Sequence, residues 1–381
     1  MKIFNVNQIR EADEFTISNE PISSYNLMER AATNLSDWLS EYLSTNSVIK
    51  IFAGTGNNGG DGLAIARLLS DKGYNIEVYL IMISDVLSLD AQTNFTKLEE
   101  QSKVRINIFQ SYEILPDINS TDIIIDAIFG SGLNRPLDDF AASVVNLINA
   151  SRAKVISIDI PSGLLVDDNE NNNPDNIIKA EITLTLQFPK LSFFFGENYR
   201  FVGEWIVIPI GLHENYINNT PTDFSYSTHK EIASKIFTRK KFDHKGKFGH
   251  AFLISGSYGK IGAAVLASKA CLRAGVGLLT VHIPRFGYEI IQTAIPEAMT
   301  SIDKYDKVIS KIPAIDNYTA VGIGPGIGKS HQAMLAMKEL LEKISIPIVI
   351  DADAINILAE NRELINLVPP NSIITPHPKE F

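Results

Sequence analysis

Short apolar runs alternate with longer segments of helical period from one end of the chain to the other, the pattern of a βα protein built on parallel sheets. In the first half, Val48–Ala53, Ile76–Ile83, Asp122–Phe129, Lys154–Ile160 and Ile182–Phe188 predict strands, the early ones ending in polar or glycine-rich turns. DDNENNNPD, residues 167–175, is too polar to pack and predicts a loop. After INNTPTDF, residues 217–224, the pattern restarts, which places a domain boundary near residue 220. The second series of strands is His250–Ser255, Leu278–Ile283, Thr319–Ile323, Ile346–Asp351 and Ser372–Thr375. No residue-level repeat relates the halves, so two different α/β domains are expected, 1–220 and 221–381. A doubly wound domain rarely stops one turn beyond a buried strand, so the stop at TPHPKEF makes an incomplete second domain the expectation.

Composition narrows the function. The 381 residues are 45% hydrophobic and 20% charged, enough apolar surface for two cores and too much for a disordered chain. With 34 basic and 44 acidic residues the net charge is −10, which repels polyanions and argues against a nucleic-acid partner. Cys271 is the single cysteine and sits in an apolar helical pattern, so no internal disulfide forms and a reducing compartment is expected. No window reaches the roughly 18 apolar residues of a membrane span, and no signal-peptide run opens the chain. A cytoplasmic homo-oligomer without membrane partners is expected.

The first predicted strand runs into Gly54-Thr55-Gly56-Asn57-Asn58-Gly59-Gly60-Asp61-Gly62, a strand-turn-helix context in which glycines bring backbone N–H groups against a phosphate. Gly54, Gly56 and Gly59 satisfy G-x-G-x-x-G, but the acid of a nicotinamide-dinucleotide fingerprint is badly placed: Glu77 lies inside the next strand and Asp85 is late. A Rossmann-type oxidoreductase therefore remains an alternative that lacks a hydride-site pair, beside a non-catalytic binding protein. Asp61 reads either as a helix cap or as a site residue. Asn58, Asp126 near the end of DIIIDAIFG and Ser162 in IDIPSG offer three oxygen donors at one sheet edge, a set suited to a monovalent cation such as K⁺ rather than zinc. Asp159, held before a Pro-Ser-Gly turn, is the candidate general acid/base. A second glycine loop, Gly130-Ser131-Gly132-Leu133-Asn134-Arg135-Pro136, supplies backbone amides and a guanidinium for a pyrophosphate, although Arg135 reads equally as a surface charge.

These motifs, together with NLMERAA (26–32), KAEITLTLQFPK (179–190) and VGEWIVIPIGL (202–212), resemble the NAD(P)H-hydrate epimerase domain, the YjeF N-terminal domain, in order over residues 1–215. The resemblance implies a Rossmann-like parallel three-layer sandwich that inverts C6 of the hydrated nicotinamide ring, interconverting R- and S-NAD(P)HX without redox change. It implies substrate contacts at Asn57, Asn58, Gly59, Gly60, Asp61, Gly130 through Pro136 and Asp159, potassium ligands Asn58, Asp126 and Ser162, and Asp159 as the base.

In the second half, Gly324-Pro325-Gly326-Ile327-Gly328-Lys329-Ser330 is not a Walker P-loop, because Ile323 stands where the first glycine belongs. HKGKFGH, SYGKIGAA, VGIGPGIGKS, VIDADAIN and TPHP resemble the ribokinase-like NAD(P)HX dehydratase domain, the YjeF C-terminal domain. The resemblance implies ADP- or ATP-driven dehydration of S-NAD(P)HX, with Ala263, Gly326 and His377 contacting substrate. The family's Gly-Asp turn that follows TPHP has no counterpart after Gly246 in this sequence, so a truncated dehydratase without activity is expected beside an intact epimerase.

Overall fold

The computed structural model describes residues 1–110, 117–137 and 139–380, and its contacts divide the chain into two units, Met1–Ile236 and the remainder from Phe237. The last residue of TPHPKEF lies outside the described residues. In chain order the first unit carries β1 (Lys2–Ile3), α1 (Val6–Asn19), α2 (Ser24–Tyr42), β2 (Val48–Ala53), α3 (Asn57–Asp71), β3 (Asn75–Ile81) and α4 (Leu89–Gln101). Then follow β4 (Arg105–Phe109), β5 (Ile123–Ala127), α5 (Asp139–Ser151), β6 (Lys154–Ile158), β7 (Ile182–Leu186), β8 (Glu204–Ile208) and β9 (Phe224–Ser225).

Seven of these strands form one sheet in the order β4-β3-β2-β5-β6-β7-β8, with every pairing parallel. Alternate residues of a strand face opposite layers, and the central strands are apolar on both. Ile49, Ile51 and Ala53 of β2 pack with Leu35, Leu39, Leu63 and Leu69 of α2 and α3, while Phe52 packs on the other face with Val144, Val145 and Ile148 of α5. This is the expected three-layer sandwich. The unit extends past residue 220 because β9 pairs antiparallel with β1, the Thr222 hydroxyl donates to the Ile3 carbonyl and the amino terminus donates to that of Tyr226. The polar stretch INNTPTDF therefore lies inside the first unit, closing the helix Glu214–Asn219 and leading into β9, and the boundary falls at Ile236 instead.

The second unit contains β10 (His250–Ile254), β11 (Leu278–Ile283), β12 (Met299–Ile302), β13 (Ala320–Ile323), β14 (Ile348–Ile350) and β15 (Ile373–Ile374). They form a parallel sheet in the order β12-β11-β10-β13-β14-β15. Phe252, Val321, Ile323, Met337, Leu340 and Ile350 lie in its core. The apolar pattern does not predict β4, β8 or β12. No helix among the described residues is long and apolar enough to cross a membrane.

Candidate active site

In the first sheet the chain reverses its direction of growth between β2 and β5, and ligands of open parallel sheets bind beyond the strand ends at such a point. The loops leaving β2 and β5 touch there. A Cβ on Gly54 would lie 2.1 Å from the Ile128 carbonyl oxygen, and one on Gly59 would lie 1.9 Å from that of Gly54, so both positions require glycine for packing.

The resulting cavity, of about 610 Å³, is walled by Asn57, Asn58, Asp61, Gly130, Ser131, Gly132, Leu133, Asn134, Arg135 and Asp159 among the expected contacts. Gly59 and Gly60 do not line it: the first packs on Gly54, and a Cβ on the second would meet the Met28 sulfur at 2.8 Å. Pro136 is exposed beyond the wall. Asp61 is not the helix cap; the cap position of α3 is Gly56, which makes no side-chain bond, and Asp61 lies a full turn inside the helix.

Asp159 follows β6 directly and takes a left-handed backbone conformation, φ +68°, which a non-glycine residue holds only against strain. One carboxylate oxygen accepts from the Ser131 N–H at 3.0 Å, and the other lies 2.5 Å from the Lys190 ammonium. Burial alone would push the Asp159 carboxyl up, but Lys190 and the Ser131 donor hold it below the ordinary range, so it is an anion. Lys190 is wholly buried and also donates to the Thr185 hydroxyl and the Phe188 carbonyl.

Two more carboxyls share the wall and behave oppositely. Asp13 is pushed up to about 7 by burial, by the Asp159 charge and by Glu14, against the pull of Lys190. Asp61 is raised well above its ordinary value by burial and by Asp159, Asp13 and Asp90. The crevice thus combines one ionised carboxylate with carboxyls driven toward the neutral form, the separation that acid–base chemistry uses. Neither Asp13 nor Lys190 is among the residues the sequence singled out. Asp13 lies one turn after Ile9 beside the buried Ala12, so it flanks the apolar stripe of α1; Lys190 sits in an otherwise apolar FPKLSFF run, where a buried partner was the available clue.

Asp126 is wholly buried and is bonded by both the N–H and hydroxyl of Ser162 and by the Ser157 hydroxyl, at 2.9, 2.5 and 2.7 Å. Burial raises its carboxyl despite these donors. Phe129 N–H donates to the Ser162 hydroxyl, and the next residue, Gly130, abuts Asn58, so the three expected cation ligands share one corner. Among the described residues, both amide heteroatoms of Asn58 are buried without a hydrogen-bond partner, an orphaned oxygen in the corner that also holds Asp126 and Ser162. An all-oxygen donor set of this kind fits a monovalent cation.

The second sheet reverses between β10 and β13, and the loops there also meet. Gly326 has φ +69°, and a Cβ on it would lie 2.9 Å from that of Ala263; the Ser257 hydroxyl donates to the Gly326 carbonyl at 2.7 Å. Ala263 and Gly326 are therefore brought together. An Asp353 carboxylate oxygen accepts from Gly328 N–H at 2.8 Å and pairs with Lys260 at 3.0 Å. Lys329 is paired with Glu360, not presented to a phosphate loop. His377, beyond β15, is exposed and pairs with Glu380 in its own turn.

A switch-point crevice with glycine loops, a guanidinium and an ionised carboxylate beside carboxyls driven toward the neutral form is the arrangement of a nucleotide-binding α/β enzyme that uses acid–base chemistry. A family model described as YjeF-related protein N-terminus matches residues 24–192, and one described as NAD(P)H-hydrate dehydratase matches residues 251–381. The chain is 30% identical over 398 residues to the bifunctional NAD(P)H-hydrate repair enzyme of Moorella thermoacetica, covering 100% of this chain and 74% of that protein. It is 32% identical over 384 residues to the Coxiella burnetii enzyme of that name, covering 99% and 74%. The chain belongs to the family of bifunctional NAD(P)H-hydrate repair enzymes, with an epimerase-type first unit and a dehydratase-type second unit.

Proposed function

We propose that the crevice of the first unit interconverts R- and S-NAD(P)HX, with Asp159 exchanging a proton with the oxygen at C6 and the loops Asn57–Asp61 and Gly130–Arg135 holding the dinucleotide. The observation that carries this reading is Asp159 itself: strained, ionised by a buried lysine, and set in the wall of the switch-point cavity. Lys190 keeps the carboxylate charged, and Ser131 N–H fixes its direction. Arg10 and Arg135, both in the cavity wall, are the cations available to phosphate oxygens.

Asn58, Asp126 and Ser162 would hold K⁺. Such an ion would supply positive charge beside the Asp126 carboxyl, where the loops after β2 and β5 meet. In the second unit, Ala263, Gly326 and His377 are assigned to the S-hydrate, the substrate that a dehydratase of this family converts at the expense of ADP or ATP, and turnover by this unit is read by the ADP assay below.

Mixed R- and S-NADHX incubated with the purified chain, separated by chromatography with and without K⁺, tests the first assignment. Interconversion that is lost in Asp159→Asn supports it, and no interconversion by the wild-type chain overturns it. Adding ADP and following NADH absorbance reads the second unit separately.

A further inference from the structure

We propose that Asp13 is the second catalytic residue of the epimerase site, the acid that gives a proton to the C6 oxygen while Asp159 takes one on the opposite side of the reaction. This rests on the epimerase reading above and adds to it a residue on a different element.

The geometry is the following. Asp13 projects from α1 into the same cavity as Asp159 and Asp61, and it also walls an adjoining cavity of about 280 Å³; the two share Arg10, Asp13, Asn57, Asp61 and Leu186. Among the described residues no donor is hydrogen-bonded to the Asp13 carboxyl, whereas Asp159 is held by Lys190 and Ser131. The charged groups facing Asp13 are Arg10 and Glu14 from its own helix, Asp61 from α3, and Asp159 and Lys190 from the strand ends. Three carboxyls around one lysine cannot all ionise in a desolvated cleft, so at least one retains a proton. Lys190 assigns the charge to Asp159. Asp61 lies deeper and is driven toward the neutral form by burial and by its carboxyl neighbours, while Asp13 at about 7 both loses and regains its proton near neutral pH.

The step balances without a redox partner. Protonated Asp13 gives its proton to the C6 hydroxyl; the C6–O bond breaks, its electron pair leaving on the oxygen as water, and the N1 lone pair forms the N1=C6 double bond. Water then adds to the other ring face. Its lone pair makes the new C6–O bond, the N1=C6 pair returns to N1, and its proton passes to Asp159. One proton has moved from Asp13 to Asp159. The adjacent Lys190 ammonium disfavours protonated Asp159, and cavity water carries the proton back to Asp13.

The test measures interconversion rates for the full chain and for Asp13→Asn, Asp13→Glu and Asp159→Asn from pH 5 to 9, with KM and kcat separated and thermal unfolding recorded. Wild-type turnover should fall as pH rises through about 7. Asp13→Asn should lose about 10²–10⁴-fold in kcat at nearly unchanged KM and lose that alkaline limb, with Asp13→Glu recovering part of the rate. In ¹⁸O-water each inversion should carry one solvent oxygen into C6. An Asp13→Asn protein that is folded and keeps the wild-type rate and pH profile overturns the proposal, as does inversion without label. Inactivity of the wild-type chain would overturn the epimerase reading instead.

Discussion

The Lys190 ammonium lies 2.5 Å from a carboxylate oxygen of Asp159, with 1% and 7% of their side chains exposed, so each is the other's compensation inside the protein. Two charges so buried are stable only together, because removing one leaves the other desolvated and unpaired.

Lys190→Met should therefore destabilise the first unit by about 3–5 kcal/mol. The sign with pH follows from the direction of the Asp159 shift: its folded-state carboxyl is depressed, so the stabilisation is present above the ordinary carboxylate range and is lost as pH falls through the lowered value. Urea unfolding of wild type and Lys190→Met should show curves that differ at pH 7 and converge on acidification. Epimerase activity in the variant should need a higher pH, because Asp159 then protonates more easily.

Asp13 has the opposite sign. Its folded carboxyl is raised to about 7, so its contribution favours the folded state below the ordinary value and is lost as pH rises toward and through 7. Asp13→Asn, which removes the charge and keeps the shape, should be more stable than wild type at pH 8 and equal to it near pH 4. Urea midpoints at the two pH values decide this, and a variant that is more stable yet slower is the expected signature of a strained catalytic carboxyl.

The central strands of both sheets were legible because strands buried on two faces read as unbroken apolar runs. Of the strands missed, the two-residue Lys2–Ile3 and Phe224–Ser225 are too short to show a pattern, and Arg105–Phe109, Glu204–Ile208 and Met299–Ile302 are sheet edges, where half the side chains meet water and charged or polar residues interrupt the pattern. In the site, Asp159, Asn58, Asp126 and the two glycine loops could be read because glycine and proline mark the turns that hold them. Lys190 and Asp13 were not singled out, since what distinguishes each is a charged neighbour distant in the chain, Asp159. Gly59 and Gly60 were read as ligand contacts; neither lines the cavity and both are closely packed at Cα, a need that a glycine's letter does not distinguish from close approach to a phosphate.

That packing role is testable at the first crevice glycine. Gly54→Ala would place a methyl 2.1 Å from the Ile128 carbonyl and must push the β2 and β5 loops apart, whereas Gly56→Ala meets nothing within 4 Å. Overpacking of this kind costs about 1–3 kcal/mol. Gly54→Ala should lower both the unfolding midpoint and dinucleotide-hydrate affinity, measured by calorimetric titration, while Gly56→Ala leaves the midpoint close to wild type.

The cation site gives a prediction that needs no turnover. Among the described residues the Asn58 amide oxygen has no partner, and the nearby Asp126 carboxyl, though bonded by Ser157 and Ser162, is wholly buried; such a cluster gains from a cation that binds only the folded state. Stabilisation grows as the logarithm of ligand over dissociation constant, reaching about 2.7 kcal/mol at a hundredfold excess. Thermal unfolding in KCl should therefore lie above that in tetramethylammonium chloride at equal ionic strength. Asn58→Ala should reduce the difference while leaving the Asp126 hydrogen bonds from Ser157 and Ser162 in place. Equal midpoints in the two salts for the wild-type chain would count against K⁺ at this corner, since an ion that binds only the folded state cannot leave its midpoint unshifted at saturating concentration.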